Sequence, residues 1–296
     1  MQRRAIFHID VNSAFLSWSA VKLLSEGGSD IRLVPSVVSG DPADRRSIIT
    51  AASMPAKKLG IKTAQPISMA LRTYPNLVIV RGDWTWYKKC SDGFMDICRS
   101  YSPVLQKFSI DECFIDMSLR LYKKDPVEVA TRLKDEIHSK LGFTVNIGIG
   151  SNKLLAKMAS DFEKPDKVHT LWEEEVPGKM WPLPVGDLLW VGRKTRERLA
   201  SYGIYTIGDL AKRPEAAIAK IVGKKSQLCC TKMQTGTTTS QWRPSSRRPK
   251  ASARKGHLQR TSRRRWLLTG NCSRSPASSH TGCDATGSAV RLSPYS

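Results

Sequence analysis

The pattern of apolar and polar positions divides the chain into a patterned part, up to about residue 225, and an unpatterned remainder. Residues 5–11 form a short apolar run around Asp10, which predicts a strand. Residues 143–149 alternate between apolar side chains and small or polar ones, which predicts a strand with one buried face. Because strand and helix periods both occur, the patterned part predicts a mixed α+β fold.

Two amphipathic helices are predicted, one on each side of the second strand. The first is capped by Asp125, has Pro126 in its first position and ends at Gly142. The second is capped by Ser151 and closed by Pro165. The apolar faces consist of Val129, Leu133, Ile137 and Leu141 in the first helix and of Leu154, Leu155, Met158 and Phe162 in the second.

The unpatterned part, residues 226–296, holds 13 Lys and Arg residues but a single acidic residue, Asp284. It is crowded with Ser and Thr and contains neither Phe nor Ile. Such a segment cannot bury enough apolar area to offset its chain entropy, so we predict a disordered basic tail. Two origins remain open, a basic arm that binds phosphates or out-of-frame translation, and the abrupt change in composition favours the second.

The net charge of +22 favours a polyanionic partner, for which nucleic acid is the first candidate. No stretch approaches the roughly 18 apolar residues that would cross a bilayer, and the N-terminus lacks a secretory pattern. We therefore expect a cytoplasmic protein with no membrane partner.

Three acidic side chains are the candidate chemistry. Asp111 and Glu112 can meet at one site only at or beside a hairpin turn, because neighbours in a regular strand point to opposite faces. Asp10 is the candidate third. Three adjacent carboxylates stay ionised only around divalent cations, and their hard oxygen atoms suit Mg²⁺ or Mn²⁺. In the alternative, Asp111 and Glu112 are polar turn residues and Asp10 caps a helix. The Asp-Glu pair alone favours this alternative, and the wider context reverses it.

That context consists of four motifs in a fixed order. They are Phe7-His8-Ile9-Asp10-Val11-Asn12-Ser13-Ala14-Phe15, Ser109-Ile110-Asp111-Glu112, the segment Asn146-Ile147-Gly148-Ile149-Gly150-Ser151-Asn152-Lys153, and the segment that runs from Ala156 to Pro165. Together they resemble the Y-family (DinB/UmuC-like) translesion DNA polymerases. The resemblance continues to about Lys225 and covers some three quarters of the chain.

The resemblance implies a DNA-directed DNA polymerase that uses primer–template DNA and deoxynucleoside triphosphates in translesion synthesis. It implies that Asp10, Asp111 and Glu112 are the catalytic carboxylates. With the main-chain carbonyl of Val11, they would bind two Mg²⁺ ions, or Mn²⁺ in their place. The two metals would align the primer 3′-hydroxyl with the α-phosphate, and pyrophosphate would leave.

Further residues are assigned to the nucleotide by the same resemblance. Phe15 would crowd the sugar 2′ position and exclude ribonucleotides, the alternative being a plain core residue. Lys164 would contact the triphosphate. Lys153 and Lys157 lie on the same predicted helix, where they would be either solvated or directed at phosphates.

The nucleotide-binding stretch departs from the family pattern. Ala51 stands in place of a Thr, Met54 in place of a Tyr and Lys57 in place of an Arg. Lys57 keeps the charge and remains a predicted nucleotide ligand, but it lacks the bidentate fork of Arg. Thr50 or Ser53 would then substitute for the lost hydroxyl groups, or nucleotide binding would be weaker.

Residues 188–204 resemble a helix-hairpin-helix, in which backbone N–H groups at a helix start bind a DNA phosphate. Gly192, Lys194 and Thr195 are the predicted DNA contacts. Trp190 stands where the motif usually has its first Gly. The alternative is a surface turn followed by a basic helix.

The resemblance implies a ferredoxin-like palm over residues 1–13 and 81–171, small fingers over 14–80 and a helical thumb over 172–225. Residues 226–296 resemble neither the family's C-terminal little finger nor its sliding-clamp peptide, which makes a sliding clamp a doubtful partner. The alternative function is a truncated, non-catalytic remnant that binds DNA. A nucleotidyl cyclase with a palm fold is a second alternative, against which Phe15 and the thumb motif argue.

Overall fold

The computed structural model describes residues 3–41, 47–121 and 124–222, and the predicted disordered tail, 226–296, lies outside this range. The strands are β1 (Ile6–Val11), β2 (Ser36–Ser39), β3 (Ala51–Ala52), β4 (Val78–Arg81), β5 (Leu105–Lys107), β6 (Glu112–Asp116), β7 (Val145–Gly150) and β8 (Val168–Leu171). The α-helices are α1 (Ala14–Ser25), α2 (Met54–Lys58), α3 (Ile67–Thr73), α4 (Trp84–Tyr101), α5 (Pro126–Leu141), α6 (Lys153–Ser160), α7 (Arg193–Ala200), α8 (Ile207–Ala211) and α9 (Glu215–Val222). The described residues thus form the α+β fold that the pattern predicts.

The larger sheet has five strands in the order β5-β6-β1-β7-β8, with β1 at its centre. Strand β1 is antiparallel to both β6 and β7, and β7 is parallel to β8. Helices α1, α4 and α5 pack on one face over the main apolar core, and α6 packs on the other. The most apolar of the predicted strands therefore becomes the buried centre of the sheet.

Helix α5 begins and ends as the sequence predicts. The Asp125 side chain accepts hydrogen bonds from the backbone N–H groups of Val127 and Glu128, and Pro126 is the first helical residue. Gly142 ends the helix with a φ of 75°, a left-handed conformation that glycine adopts without steric cost. The apolar stripe faces the core, where Val129, Leu133 and Ile137 are buried.

Strand β7 corrects one prediction, because it is buried on both faces rather than one. Its second face carries Asn146, Gly148 and Gly150, and α6 lies directly on that face. A Cβ atom on Gly148 would stand 2.0 Å from the Ala156 carbonyl oxygen. The small residues of this face are therefore a site of close helix approach rather than a solvated surface.

Helix α6 begins one residue later than predicted. The Asn152 side chain, rather than that of Ser151, accepts the capping hydrogen bond, which comes from the Leu155 N–H at 3.0 Å. The Ser151 hydroxyl instead donates to the Glu173 carboxylate at 2.8 Å. The helix ends at Ser160, five residues before Pro165.

Two smaller apolar clusters flank the five-stranded sheet. Strands β3-β2-β4 form a second sheet, and with α2 and α3 they enclose a core that includes Val37, Ile49 and Ile67. Helices α7, α8 and α9 share a separate core with the outer side of α6, where Leu155 is fully buried. Among residues 3–41, 47–121 and 124–222, no helix combines the length and apolarity that a membrane span requires.

We predict that Gly148→Ala lowers the free energy of unfolding by about 2 kcal/mol or more, because the added methyl group meets backbone atoms of α6 that cannot rotate away. Urea unfolding measures the effect. The matched control is Gly178→Ala, whose added Cβ would have no heavy atom within 4 Å and should change stability by less than about 0.5 kcal/mol. Equal effects in the two variants would contradict the close approach of α6 to β7.

Candidate active site

Asp10 and Glu112 are direct cross-strand partners at the adjoining ends of β1 and β6. Side chains of such partners project from the same face of a sheet. Asp111 lies in the turn just before β6, where its carbonyl accepts a hydrogen bond from the Val11 N–H at 3.0 Å. The structure therefore brings together the three predicted carboxylates at one corner. Asp10 caps no helix, since the N-cap of α1 is Ser13.

Cationic side chains hold two of these carboxylates. Lys164 bonds to an Asp10 oxygen and also lies 2.8 Å from Asp161. The Lys157 Nζ and the His8 Nε2 lie 2.8 and 3.0 Å from the same Glu112 oxygen, Oε2. Within the described part of the chain, no three His, Cys, Asp or Glu side chains are arranged around a common metal position. Ammonium groups thus balance the acidic charge of the corner in this structure.

The electrostatics of Glu112 follow from these contacts. Burial alone would raise the pKa of Glu112, but the hydrogen bonds from His8 and Lys157 outweigh burial and lower the pKa to about 2. Burial lowers the pKa of His8, which is fully buried and whose Nδ1 lies 2.8 Å from the Ser160 hydroxyl. Burial would lower the pKa of Lys164, but the attraction of its ammonium group to the Asp10 carboxylate outweighs burial and raises the pKa. Glu112 is therefore ionised throughout the neutral range.

A pair of buried asparagines fixes the segment that carries Lys164. Asn12 donates to the Asn146 Oδ1 at 3.0 Å, and its own Oδ1 accepts from the Asp166 N–H at 3.0 Å. Asn146 in turn donates to the Glu163 carbonyl at 2.6 Å. The residues on both sides of Lys164 are thereby tied to β1 and β7, which places the ammonium at Asp10.

An open cavity of about 280 Å³ adjoins the acidic corner, and Asp10, Asp111, Phe15 and Lys57 are among its lining residues. Phe15 also lines a neighbouring cavity of about 300 Å³. The ring is held by Trp18, Trp84 and Tyr87, at centroid distances of 6.0, 5.3 and 5.0 Å. Phe15 and Lys57 thus share one concave surface with two of the carboxylates, whereas Lys164 lines a smaller cavity with Asp10 and Lys57.

One predicted substitute for the lost hydroxyl groups is wrong. Ser53 is fully buried and caps α2, and its hydroxyl accepts from the N–H groups of Ser36 and Ala56 while it donates to the Val34 carbonyl. It cannot also bind a phosphate. Thr50 does line both cavities, although its hydroxyl donates to the Val38 carbonyl at 3.0 Å.

Sequence reasoning missed the partners of Glu112. Lys157 is neither solvated nor directed at a phosphate, because its side chain is 14% exposed and bonds to Glu112. His8 had a usable signal, since it precedes Asp10 by two residues in a strand and therefore points to the same face. Lys153 contacts Gln106 at 2.5 Å.

The predicted DNA-contact residues lie elsewhere and line neither cavity. Gly192 is the N-cap of α7 in an extended conformation, and no side chain caps this helix start. Lys194 is exposed in the first turn, and Thr195 follows it, partly exposed.

Comparison with known proteins identifies the family. A model of the impB/mucB/samB family, labelled IMS, matches residues 9–161, slightly more than half of the chain, so the chain belongs to this family. Among named relatives, DNA polymerase IV of Clostridium acetobutylicum is 47% identical over 210 residues, which are 71% of this chain and 53% of the relative. DNA polymerase IV 1 of Bacillus subtilis is 36% identical over 220 residues, 74% of this chain and 52% of that protein. The chain thus spans about half the length of these relatives.

Solved structures agree on the fold. A Y-family DNA polymerase chimera superposes with a TM-score of 0.73 at 24% identity, covering 81% of this chain and 69% of that one. DinB from Sulfolobus solfataricus gives a TM-score of 0.71 at 24% identity, with the same two coverages. The α+β prediction and the resemblance to Y-family polymerases are confirmed.

We predict that Glu112→Gln lowers the free energy of unfolding at pH 7 by on the order of 1–3 kcal/mol, because the amide cannot replace the charge between His8 and Lys157. The folded-state pKa, about 2, lies below the ordinary value of 4.5. The stabilisation is therefore complete above pH 4.5 and is lost as the pH falls towards 2.

Urea unfolding at pH 7 and pH 3 measures this difference between parent and variant. Glu197→Gln is the matched control, since Glu197 is 59% exposed and should contribute less than about 0.5 kcal/mol at either pH. A penalty for Glu112→Gln that stays constant with pH would contradict the assigned charge interactions.

Proposed function

We propose that this chain acts as a template-directed DNA polymerase of the Y family in translesion synthesis and DNA repair. The observation that carries the proposal is the pairing of Asp10 with Glu112 beside Asp111, in a chain that belongs to the impB/mucB/samB family. Relatives named DNA polymerase IV support the same activity. The reaction is the transfer of a nucleotide to a primer end with release of pyrophosphate.

The donor set of the acidic corner fits hard divalent cations. Carboxylate oxygens of Asp10 and Asp111 line one cavity together with Val11, and the ammonium groups on Asp10 and Glu112 indicate that this corner requires compensating positive charge. Asp10, Asp111, Glu112 and the Val11 carbonyl would hold two Mg²⁺ ions, or Mn²⁺. When bound, these ions supply charge neutralisation at phosphate oxygens and ease the deprotonation of an attacking hydroxyl.

The nucleotide would lie in the cavity beside this corner. Lys57 and Lys164, which also line a smaller cavity with Asp10, would bind the triphosphate as point charges. Phe15 would lie against the sugar, where its ring leaves no room for a 2′-hydroxyl. The three surrounding aromatic rings keep the Phe15 ring from turning aside.

The arrangement of elements supports a division into polymerase subdomains. The strands of the five-stranded sheet fall within the ranges proposed for a ferredoxin-like palm, 1–13 and 81–171. Strands β2 and β3 and helices α2 and α3 fall within the proposed fingers, 14–80, whereas β4 lies at the boundary with the palm. Helices α7, α8 and α9 fall within the proposed thumb, 172–225, whose last three residues lie outside the described residues.

Primer–template DNA would contact the thumb through the start of α7. The uncapped backbone N–H groups there, with Gly192, Lys194 and Thr195, suit a phosphate contact that reads no bases. Among the solved structures of similar fold are two described as ternary complexes of the polymerase Dbh, which is consistent with DNA and nucleotide as the partners. DNA binding would be mainly electrostatic and would weaken steeply with salt.

A non-catalytic DNA-binding remnant is the second candidate. One observation favours it, because Ala51 and Met54 stand where the family pattern has a Thr and a Tyr, so neither side chain can donate a hydrogen bond to a triphosphate. The two candidates differ in a single property, which is extension of a primer.

We predict that the full chain extends a primer in the presence of Mg²⁺ and a template, and that Asp111→Ala reduces the rate by about a thousandfold, because a charge that stabilises the transition state is lost. A gel-based extension assay measures it. Asp92→Ala, on the exposed side of α4, is the matched control and should extend at the parent rate. A parent that binds primer–template DNA without extending it would support the remnant instead.

We predict that Phe15→Ala reduces the preference for deoxy- over ribonucleotides by about tenfold or more, because the cavity gains room for a 2′-hydroxyl. Single-nucleotide incorporation with dNTP and rNTP measures the ratio. Phe15→Leu keeps part of the bulk and should fall between parent and alanine variant. An unchanged ratio in both variants would contradict a role of Phe15 in excluding ribonucleotides and would indicate that it is a plain core residue.

A further inference from the structure

Trp190 occupies a backbone position that suits glycine. The Val191 N–H donates to the Leu188 carbonyl at 2.9 Å, which closes a β-turn over residues 188–191. Trp190 is the third residue of that turn and has a φ of 71°. Turns with a positive φ at this position strongly prefer glycine, because a side chain there is crowded by its own backbone.

Within the described part of the chain, no specific contact of the indole offsets this strain. Trp190 is 66% exposed, and its indole makes no ring contact and no hydrogen bond with any described residue. Its neighbours in the turn behave differently, since Leu188 and Val191 are buried and anchor the turn in the apolar core of α7. The turn therefore holds a large aromatic side chain out into solvent.

The surroundings of this indole are basic. Arg193 and Lys194 follow it in the first turn of α7, and both are exposed. Two acids are also near, the exposed Asp187 just before the turn and Glu197, which lies 3.8 Å from Arg193. An exposed aromatic ring beside exposed cations fits a nucleic-acid strand, which offers flat base and sugar faces next to its phosphates.

We propose that Trp190 is a DNA-contact residue, whose indole packs against a base or deoxyribose face next to the phosphate bound by the start of α7. This proposal rests on the proposed function, because it requires that the hairpin faces DNA. It assigns to the residue a contribution that the hairpin's usual glycine cannot make, namely non-ionic affinity for the strand.

The test compares stability with DNA affinity in the full chain. Trp190→Gly suits the turn and should raise the melting temperature by about 2 °C or more. The same variant should bind primer–template DNA about fivefold or more weakly in a fluorescence-anisotropy titration. Trp190→Phe keeps an aromatic ring and should retain most of the affinity. A residue with a purely structural role would not move the two properties in opposite directions.

Salt dependence separates the indole from the cations. Lys194→Ala should reduce the slope of log K against log salt by about 1, because one phosphate contact is lost, whereas Trp190→Gly should leave the slope unchanged. Titration of blunt duplex and of single-stranded oligonucleotide then identifies the face. A loss confined to the single strand indicates base stacking, and an equal loss on both indicates the sugar.

The proposal is overturned if Trp190→Gly binds DNA as tightly as the parent, or if its weaker binding appears only as a reduced salt slope. Failure of the proposed function looks different, because the parent itself would then bind primer–template DNA without extending it, whatever the affinities of the Trp190 variants.

Discussion

The close packing of α6 on the glycine-bearing face of β7 is the constraint on which the acidic corner depends. Only hydrogen atoms at positions 148 and 150 allow the backbone of α6 to lie so near the sheet. That proximity brings Lys157 and Ser160 onto the face of β1 and β6, where they reach Glu112 and His8. Because Gly148 and Gly150 carry no side chains, α6 lies close enough to the sheet for its polar side chains to reach the acidic corner.

Charge balance is the second consequence of this arrangement. Carboxylates concentrated at one edge of a sheet repel one another unless cations lie between them. In this structure the cations are lysine ammonium groups from α6 and from the loop that follows it. Under the proposed function, a divalent cation would meet the same negative charge that these ammonium groups now balance.

The nucleotide side of the cavity is built with fewer polar groups than the family resemblance implies. The Ser53 hydroxyl is used to cap α2, and Lys57 supplies a charge without the bidentate geometry of an arginine. Aromatic packing around Phe15 is extensive by contrast. Under the proposed function, recognition of a nucleotide here would rely more on shape and point charge than on directional hydrogen bonds from side chains.

Local spacing and composition were enough to predict the α+β class and the capped helix α5. The three acids were selected by the resemblance of four ordered motifs to a known family, because the Asp-Glu pair alone favours a polar turn. Helix α4 has a comparable apolar periodicity, so local spacing is enough to predict it as well. Three features became evident only in the folded chain: β7 is covered on both faces, Asn152 caps α6, and Lys157 pairs with Glu112. Each of these depends on contacts between residues distant along the chain, which a local pattern cannot contain.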